Sequence, residues 1–251
     1  MTGRRLRSAV LAVLPSDAIA GAVRRVYPRV EPELAALGEF MPRGGVALDV
    51  GAWLGPWSRK MRRYADRVVA VEAHPDLADR LRRSVPGVTV VHGAASDTPG
   101  SLTLAVPPAG PMLGVSSVAG SPEAGSHEVV VPAVVIDDLE LTDVRFIKMD
   151  IEGHELVALR GAEATVRRDR PYILVELEER LQPVAPVVEL LGSWGYTGYV
   201  RPGRRWVPLA GFDLVGHQRG AIRRVSQSFV RRLVWPRPRY VNMVLFRPTP
   251  G

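Results

Sequence analysis

From Val46 onward the chain alternates short apolar runs rich in valine with longer stretches whose apolar residues recur at helical spacing. That alternation constrains the fold more than any other feature, because it is the pattern of βαβ units wound into a parallel sheet. The runs Val46–Val50, Arg67–Glu72, Val88–His92, Arg145–Asp150 and Tyr172–Leu177 read as strands buried on both faces. Helices are expected over Pro56–Tyr64, Pro75–Ser84, Gly153–Arg168 and Val184–Trp194. The expected architecture is α/β, a doubly wound and mostly parallel sheet. Two stretches depart from it. Gly100–Val135, rich in proline, glycine and serine, reads as a hairpin or loop excursion between Leu102–Val106 and Glu128–Val131. Gly203–Arg239 reads as a basic late insertion before Tyr240–Phe246 returns to the sheet.

At 251 residues and 46% apolar, the chain can bury the core of one α/β domain. A single domain over 1–251 is expected, with an N-terminal helical segment to 43, a ligand-binding core over 44–200, and the insertion and final strand over 201–251. Cysteine is absent, which excludes disulfides, thiolate metal sites and a cysteine nucleophile. The net charge of +7 is almost all arginine, Lys60 and Lys148 being the only lysines. Arg4, Arg5 and Arg7 followed by Ala9–Leu14 imitate a secretory signal, but Pro15-Ser16-Asp17 cuts the apolar run. A helix capped by Ser16 or Asp17 is expected over Ala18–Val26 instead. No other apolar run reaches the ~20 residues of a membrane helix. The expectation is a soluble, cytoplasmic protein without a membrane span, and a homodimer is compatible with it.

The segment Asp49-Val50-Gly51-Ala52-Trp53-Leu54-Gly55-Pro56 carries a strand into a glycine-bearing turn and a helix. Gly51 and Gly55 permit the backbone to approach a ligand closely. Glu72, 23 positions beyond Asp49, ends the next strand, where a carboxylate can accept both hydroxyls of a ribose. The turn lacks the second glycine of G-x-G-x-x-G, and Asp49 suits an ammonium better than a pyrophosphate. An adenosyl amino acid therefore fits better than a dinucleotide. After the third strand, Ser96 and Asp97 form a polar pair able to meet an adenine edge.

These residues resemble the FkbM family of S-adenosylmethionine-dependent methyltransferases. The resemblance rests on D-V-G-A-x-x-G at Asp49–Gly55, V-A-V-E at Val69–Glu72, G-A-A-S-D at Gly93–Asp97 and I-K-M-D-I-E-G-H-E at Ile147–Glu155, and it continues to Glu176. It implies a Rossmann-like class I methyltransferase fold, S-adenosylmethionine as cofactor, and methylation of a hydroxyl on a small molecule such as a saccharide. Cofactor contacts are expected from Asp49, Gly51, Ala52, Trp53, Gly55, Glu72, Ala73, Ser96, Asp97 and Asp150. The family usually has asparagine where Trp53 stands.

Asp150, Glu152 and His154 fall at a strand end and the following turn, on the side where ligands lie, and are the expected catalytic residues. A hydroxyl nearly as weak an acid as water, at about 15.7, needs either a positioned base or a metal ion to manage its proton. His154 is the candidate base. It belongs to no zinc-protease motif, since Ala158 stands where H-E-x-x-H needs its second histidine. Asp150 with Glu178, or with Glu176, and His217 from a glycine-flanked loop could hold Mg²⁺. Lys148, inside a strand, is expected to have a packing or pairing role, and the arginines of Arg219–Arg239 either form a solvated face or neutralise an acidic acceptor or close over the site. RNA as acceptor fits the basic charge but lacks a visible RNA-binding module, so a nucleic-acid partner is not expected. A non-catalytic nucleotide-binding module and a nicotinamide oxidoreductase are also compatible with a fold of this class.

Overall fold

Valine and isoleucine, stiff at χ1 and suited to a pleated surface, place five parallel strands where the apolar runs stand. A computed structural model describes residues 21, 26–27, 31–106, 125–225 and 240–250. Two short helices, α1 (Pro32–Ala35) and α2 (Leu37–Phe40), lead into β1 (Val46–Val50). There follow α3 (Pro56–Met61), β2 (Arg67–Glu72), α4 (Pro75–Ser84) and β3 (Val88–His92). Next come β4 (Ala94–Ser96), β5 (Gly100–Val106), β6 (His127–Val135) and β7 (Val144–Met149). The second half holds α5 (Glu155–Arg160), α6 (Glu163–Asp169), β8 (Tyr172–Glu176) and α7 (Val184–Ser193). It closes with β9 (Tyr196–Val200), β10 (Val207–Pro208), α8 (Leu214–Val225) and β11 (Met243–Pro248).

The main sheet has the order β10-β9-β11-β8-β7-β1-β2-β3. Strands β3, β2, β1, β7 and β8 are parallel, and β11 inserts antiparallel between β8 and β9. The chain thus winds outward from β1 in one direction to β3 and then returns to β1's other side as β7. This reversal at β1 is a topological switch point, where the carboxyl ends of strands splay and leave a cleft. The excursion forms a second sheet, β4-β6-β5, antiparallel between β5 and β6.

Alternation along the strands divides the core in two. Leu48, Val50, Val69, Val71, Ile147 and Ile173 face Leu159, Val166, Val187 and Leu191 of α5, α6 and α7. Ala47, Val68, Phe146, Leu174 and Leu245 face Leu34, Leu37, Trp57 and Met61 of α1, α2 and α3. Among the described residues no helix is long and apolar enough to cross a membrane. The expected N-terminal helix lies almost wholly outside the described residues, as does the arginine-rich stretch beyond Val225.

The single helix expected over Gly153–Arg168 is two, broken at Gly161-Ala162. Gly161 lies against the second sheet so closely that a Cβ there would stand 1.9 Å from the Ser96 carbonyl oxygen. Its own carbonyl accepts from Asp137 N at 2.9 Å. The helix bends because backbone must meet backbone at that point. Gly161→Ala should therefore destabilise the protein by about 1–3 kcal/mol, the usual cost of forcing atoms into packed structure. Urea denaturation measures this, and unchanged stability would contradict the contact between α5 and β4.

Candidate active site

The carboxyl ends of β1, β2 and β7 open on a cleft lined by both polar and apolar side chains. Gly51, which follows β1, has φ +76°, and a Cβ on it would stand 1.9 Å from the Asp150 carbonyl oxygen. Only glycine lets these two strand ends meet. The next turn residue, Trp53, has φ +50° and donates its backbone N–H to Glu72 Oε2 at 2.7 Å. Glu72 Oε1 accepts from His74 N at 2.9 Å. Burial pushes the Glu72 carboxyl up, and these two N–H groups oppose the shift. Each oxygen has one donor and retains acceptor capacity toward the cleft. Leu77, Ala94, Ala95 and Leu104 form an apolar wall beside it.

On the other side stand Asp150, Glu152 and His154. The Asp150–His154 turn is held from within by Glu155, whose Oε1 accepts from Ile151 N at 3.0 Å and Gly153 N at 3.3 Å. Its second oxygen is bonded by Gln182. Glu155 is thus a buried staple rather than only a charge at a helix start. Glu152 has φ +55°, and burial together with Asp150 pushes its carboxyl up to about 7. His154 Nε2 is buried without a hydrogen-bond partner, and burial lowers its pKa, so the ring is neutral at pH 7.

Several expected positions fall elsewhere. Asp49 is wholly buried under the turn, bonded by Ser58 and 3.6 Å from Lys148 Nζ, because its side chain points into the sheet's packed face and not toward the cleft. Ala52 is buried, and Gly55 faces Leu81 and Val85 of α4. Ser96 is buried behind the wall against Gly161, and Asp97 is exposed beyond it. Gly51, Trp53, Glu72, Ala73, Asp150, Glu152 and His154 do line the cleft. His217 lies in α8 and not in a loop; its Nε2 accepts from Val241 N at 3.2 Å and its ring packs on Phe212. Glu178 pairs with Arg180 and Asn242. The trio Asp150, Glu178 and His217 is therefore not brought together, and among the described residues no three such side chains form a metal-holding group.

Sequence reasoning missed Tyr27 and Glu31. The Tyr27 ring packs on Trp53 at 5.4 Å, and Glu31 accepts from Tyr27 Oη at 3.3 Å and from Trp57 Nε1 at 3.2 Å. Burial first, then Asp150, pushes Glu31 up to about 7. Glu176 does stand beside Asp150, the neighbour expected of it: burial, then the Asp150 carboxylate and a hydrogen bond to it, push Glu176 well above the usual range.

A family model described as the methyltransferase FkbM domain matches residues 49–197. The chain belongs to the FkbM methyltransferase family. The crystal structure of methyltransferase FkbM from Methylobacillus flagellatus KT is similar over 88% of this chain and 48% of that one, with 17% identity and a TM-score of 0.53. This chain thus spans about half the length of that relative. Precorrin-6y C5,15-methyltransferase from Geobacter metallireducens GS-15 matches with 14% identity, 86% and 85% coverage and a TM-score of 0.45. A putative O-methyltransferase from Klebsiella pneumoniae matches with 13% identity, 97% and 96% coverage and a TM-score of 0.44. No curated protein matches the chain. The FkbM fold is the α/β arrangement described above, with its mostly parallel sheet.

S-adenosylmethionine, which this family implies, fits the residues present. Glu72 offers paired acceptors for a ribose, the bare Gly51 backbone admits close approach, and the apolar wall suits an adenine face. Glu72→Ala should weaken binding of S-adenosylmethionine by about 1–3 kcal/mol, since the hydroxyls lose a charged acceptor, as read by calorimetry. A second expectation concerns pH. Burial pushes Glu155 up to about 7, above its unfolded value of about 4.3, so the folded state holds the proton more tightly. That contribution to stability is full below about 4.3 and is lost as pH rises through about 7. Thermal midpoints across this window should fall with pH more steeply in the parent than in Glu155→Gln.

Proposed function

We propose that this chain is an S-adenosylmethionine-dependent O-methyltransferase acting on a hydroxyl of a small molecule, a saccharide by the family's precedent. The observation that carries the reading is one cleft with two unlike sides. A buried carboxylate and a bare glycine turn form one side, and a neutral histidine with two carboxyl groups forms the other. S-adenosylmethionine supplies, when bound, a methyl group on a sulfonium leaving group. What remains for the protein is alignment of the acceptor and removal of its proton.

His154 meets the second need. Its lowered pKa keeps Nε2 free to take a proton as the O–CH₃ bond forms, and the concerted timing avoids a free alkoxide. Asp150, paired with Lys148, orients the hydroxyl by accepting from a neighbouring one. Glu152, with its carboxyl pushed up to about 7, can donate or accept as the acceptor requires. Such a pattern suits a polyhydroxylated ligand, which presents donors and acceptors on adjacent carbons.

Labelled S-adenosylmethionine offered with panels of sugars, lipids and RNA tests the proposal. Label recovered on a sugar oxygen is the expected result. Label on RNA, with strong salt dependence, would replace it. With the acceptor so found, His154→Ala should lower kcat by about 10²-fold or more while cofactor affinity changes little. Unchanged turnover in that variant would move the base elsewhere.

A further inference from the structure

Beneath the cleft floor lies a buried cation that the proposed chemistry leaves without a task. Lys148 sits one residue from the carboxyl end of β7 with 2% of its surface exposed. It is the register partner of Asp49 across the parallel pair β1 and β7. Its Nζ donates to the Gly51 carbonyl at 2.9 Å, lies 3.3 Å from Asp150 Oδ2 and stands 3.6 Å from Asp49 Oδ1. An ammonium has three N–H groups and no acceptor, so these three neighbours can use all of them.

If Lys148 served only as counter-ion to Asp49, the Asp49 carboxylate should be its shortest contact. It is the longest. The shorter two go to Gly51 and Asp150, and both of these line the cleft, whereas Lys148 and Asp49 do not. Gly51 and Asp150 also face each other directly, backbone against backbone. One ammonium therefore grips the turn of the cofactor side and the carboxylate of the acceptor side from below.

We propose that Lys148 is a positioning residue that fixes the Gly51 turn relative to the Asp150 carboxylate, and so sets the separation between the bound cofactor and the acceptor hydroxyl. The role rests on the methyltransferase reading of the cleft. It acts through Gly51 and Asp150, since Lys148 itself is sealed from any ligand.

The test separates positioning from simple stabilisation. Parent, Lys148→Met and the double variant Asp49→Asn/Lys148→Met are titrated with S-adenosylhomocysteine by calorimetry, and their thermal midpoints are measured alongside. Lys148→Met leaves Asp49 buried and unpaired, so its midpoint should drop. In the double variant that charge is gone and the midpoint should recover, yet affinity should stay about tenfold or more below the parent's, because nothing donates to the Gly51 carbonyl and Asp150 as before. Parental affinity in either variant would overturn the proposal and leave Lys148 a counter-ion. A parent that fails to bind S-adenosylhomocysteine would instead remove the cofactor reading, and the positioning role with it, a result visible before any variant is made.

Discussion

A sheet covered by helices on both faces offers no water to the charges within it, and β1 and β7 nevertheless carry Asp49 and Lys148, each one residue from the strand's carboxyl end. Burying either alone would cost several kcal/mol, so each must find its partners inside the protein. They do so in register, across one parallel pair. Because the strand order reverses at β1, the same pair sits directly under the point where the cleft opens. The charge pair that the sheet has to satisfy and the turn that a ligand has to meet are thus one structure. Asp49 is bonded by Ser58 of α3 as well, which ties the helix that follows the glycine turn into the arrangement.

Around that cation the acidic groups divide the remaining charge among themselves. Asp150 lies nearest Lys148, its Oδ2 3.3 Å from the ammonium. Glu176, buried and in contact with Asp150 and Asn242, is pushed well above the usual carboxyl range, because two carboxylates in contact cannot both ionise cheaply. Glu178 is paired outward with Arg180. The set is graded: Asp150 faces the ammonium, burial pushes Glu176 well above the usual range, and burial pushes Glu152 up to about 7.

The elements that position the cleft were legible because they obey local rules. Strands β1, β2, β7 and β8 match the valine-rich runs to within a residue or two, since burial on both faces leaves no alternative composition; β3 matches as well, although it is the sheet's partly exposed edge and not buried on both faces as expected. Strands β9 and β10 and helix α8 were not legible. Gly198 weakens β9 as a sequence signal, and arginine dilutes the apolar stripe of α8, whose Leu214 is nevertheless buried. The site divides in the same way. Glu72 and His154 follow from where strands and helices end, whereas Asp49 could be placed under the floor only once the β1–β7 register was known. Tyr27 and Glu31 were invisible because their contacts, with Trp53 and Trp57, join segments that no periodicity links.

Trp53 shows how the departures from local preference are connected. The backbone there is left-handed, a conformation that asparagine tolerates and that costs a bulky residue roughly 1–3 kcal/mol. The asparagine that the family resemblance implies at this position would suit that backbone. Tryptophan can stand in its place only if other contacts offset the strain. Two do so: Glu72 holds the Trp53 N–H at 2.7 Å, and the indole packs against Tyr27 on one side and the Leu54 and Leu77 cluster on the other. The substitution thus makes the turn depend on a residue from the start of the chain and on the carboxylate expected to meet the ribose. The same Glu72 that faces the cleft stabilises the strained turn beside it, so the shape of the cofactor side and its chemistry are set by one side chain.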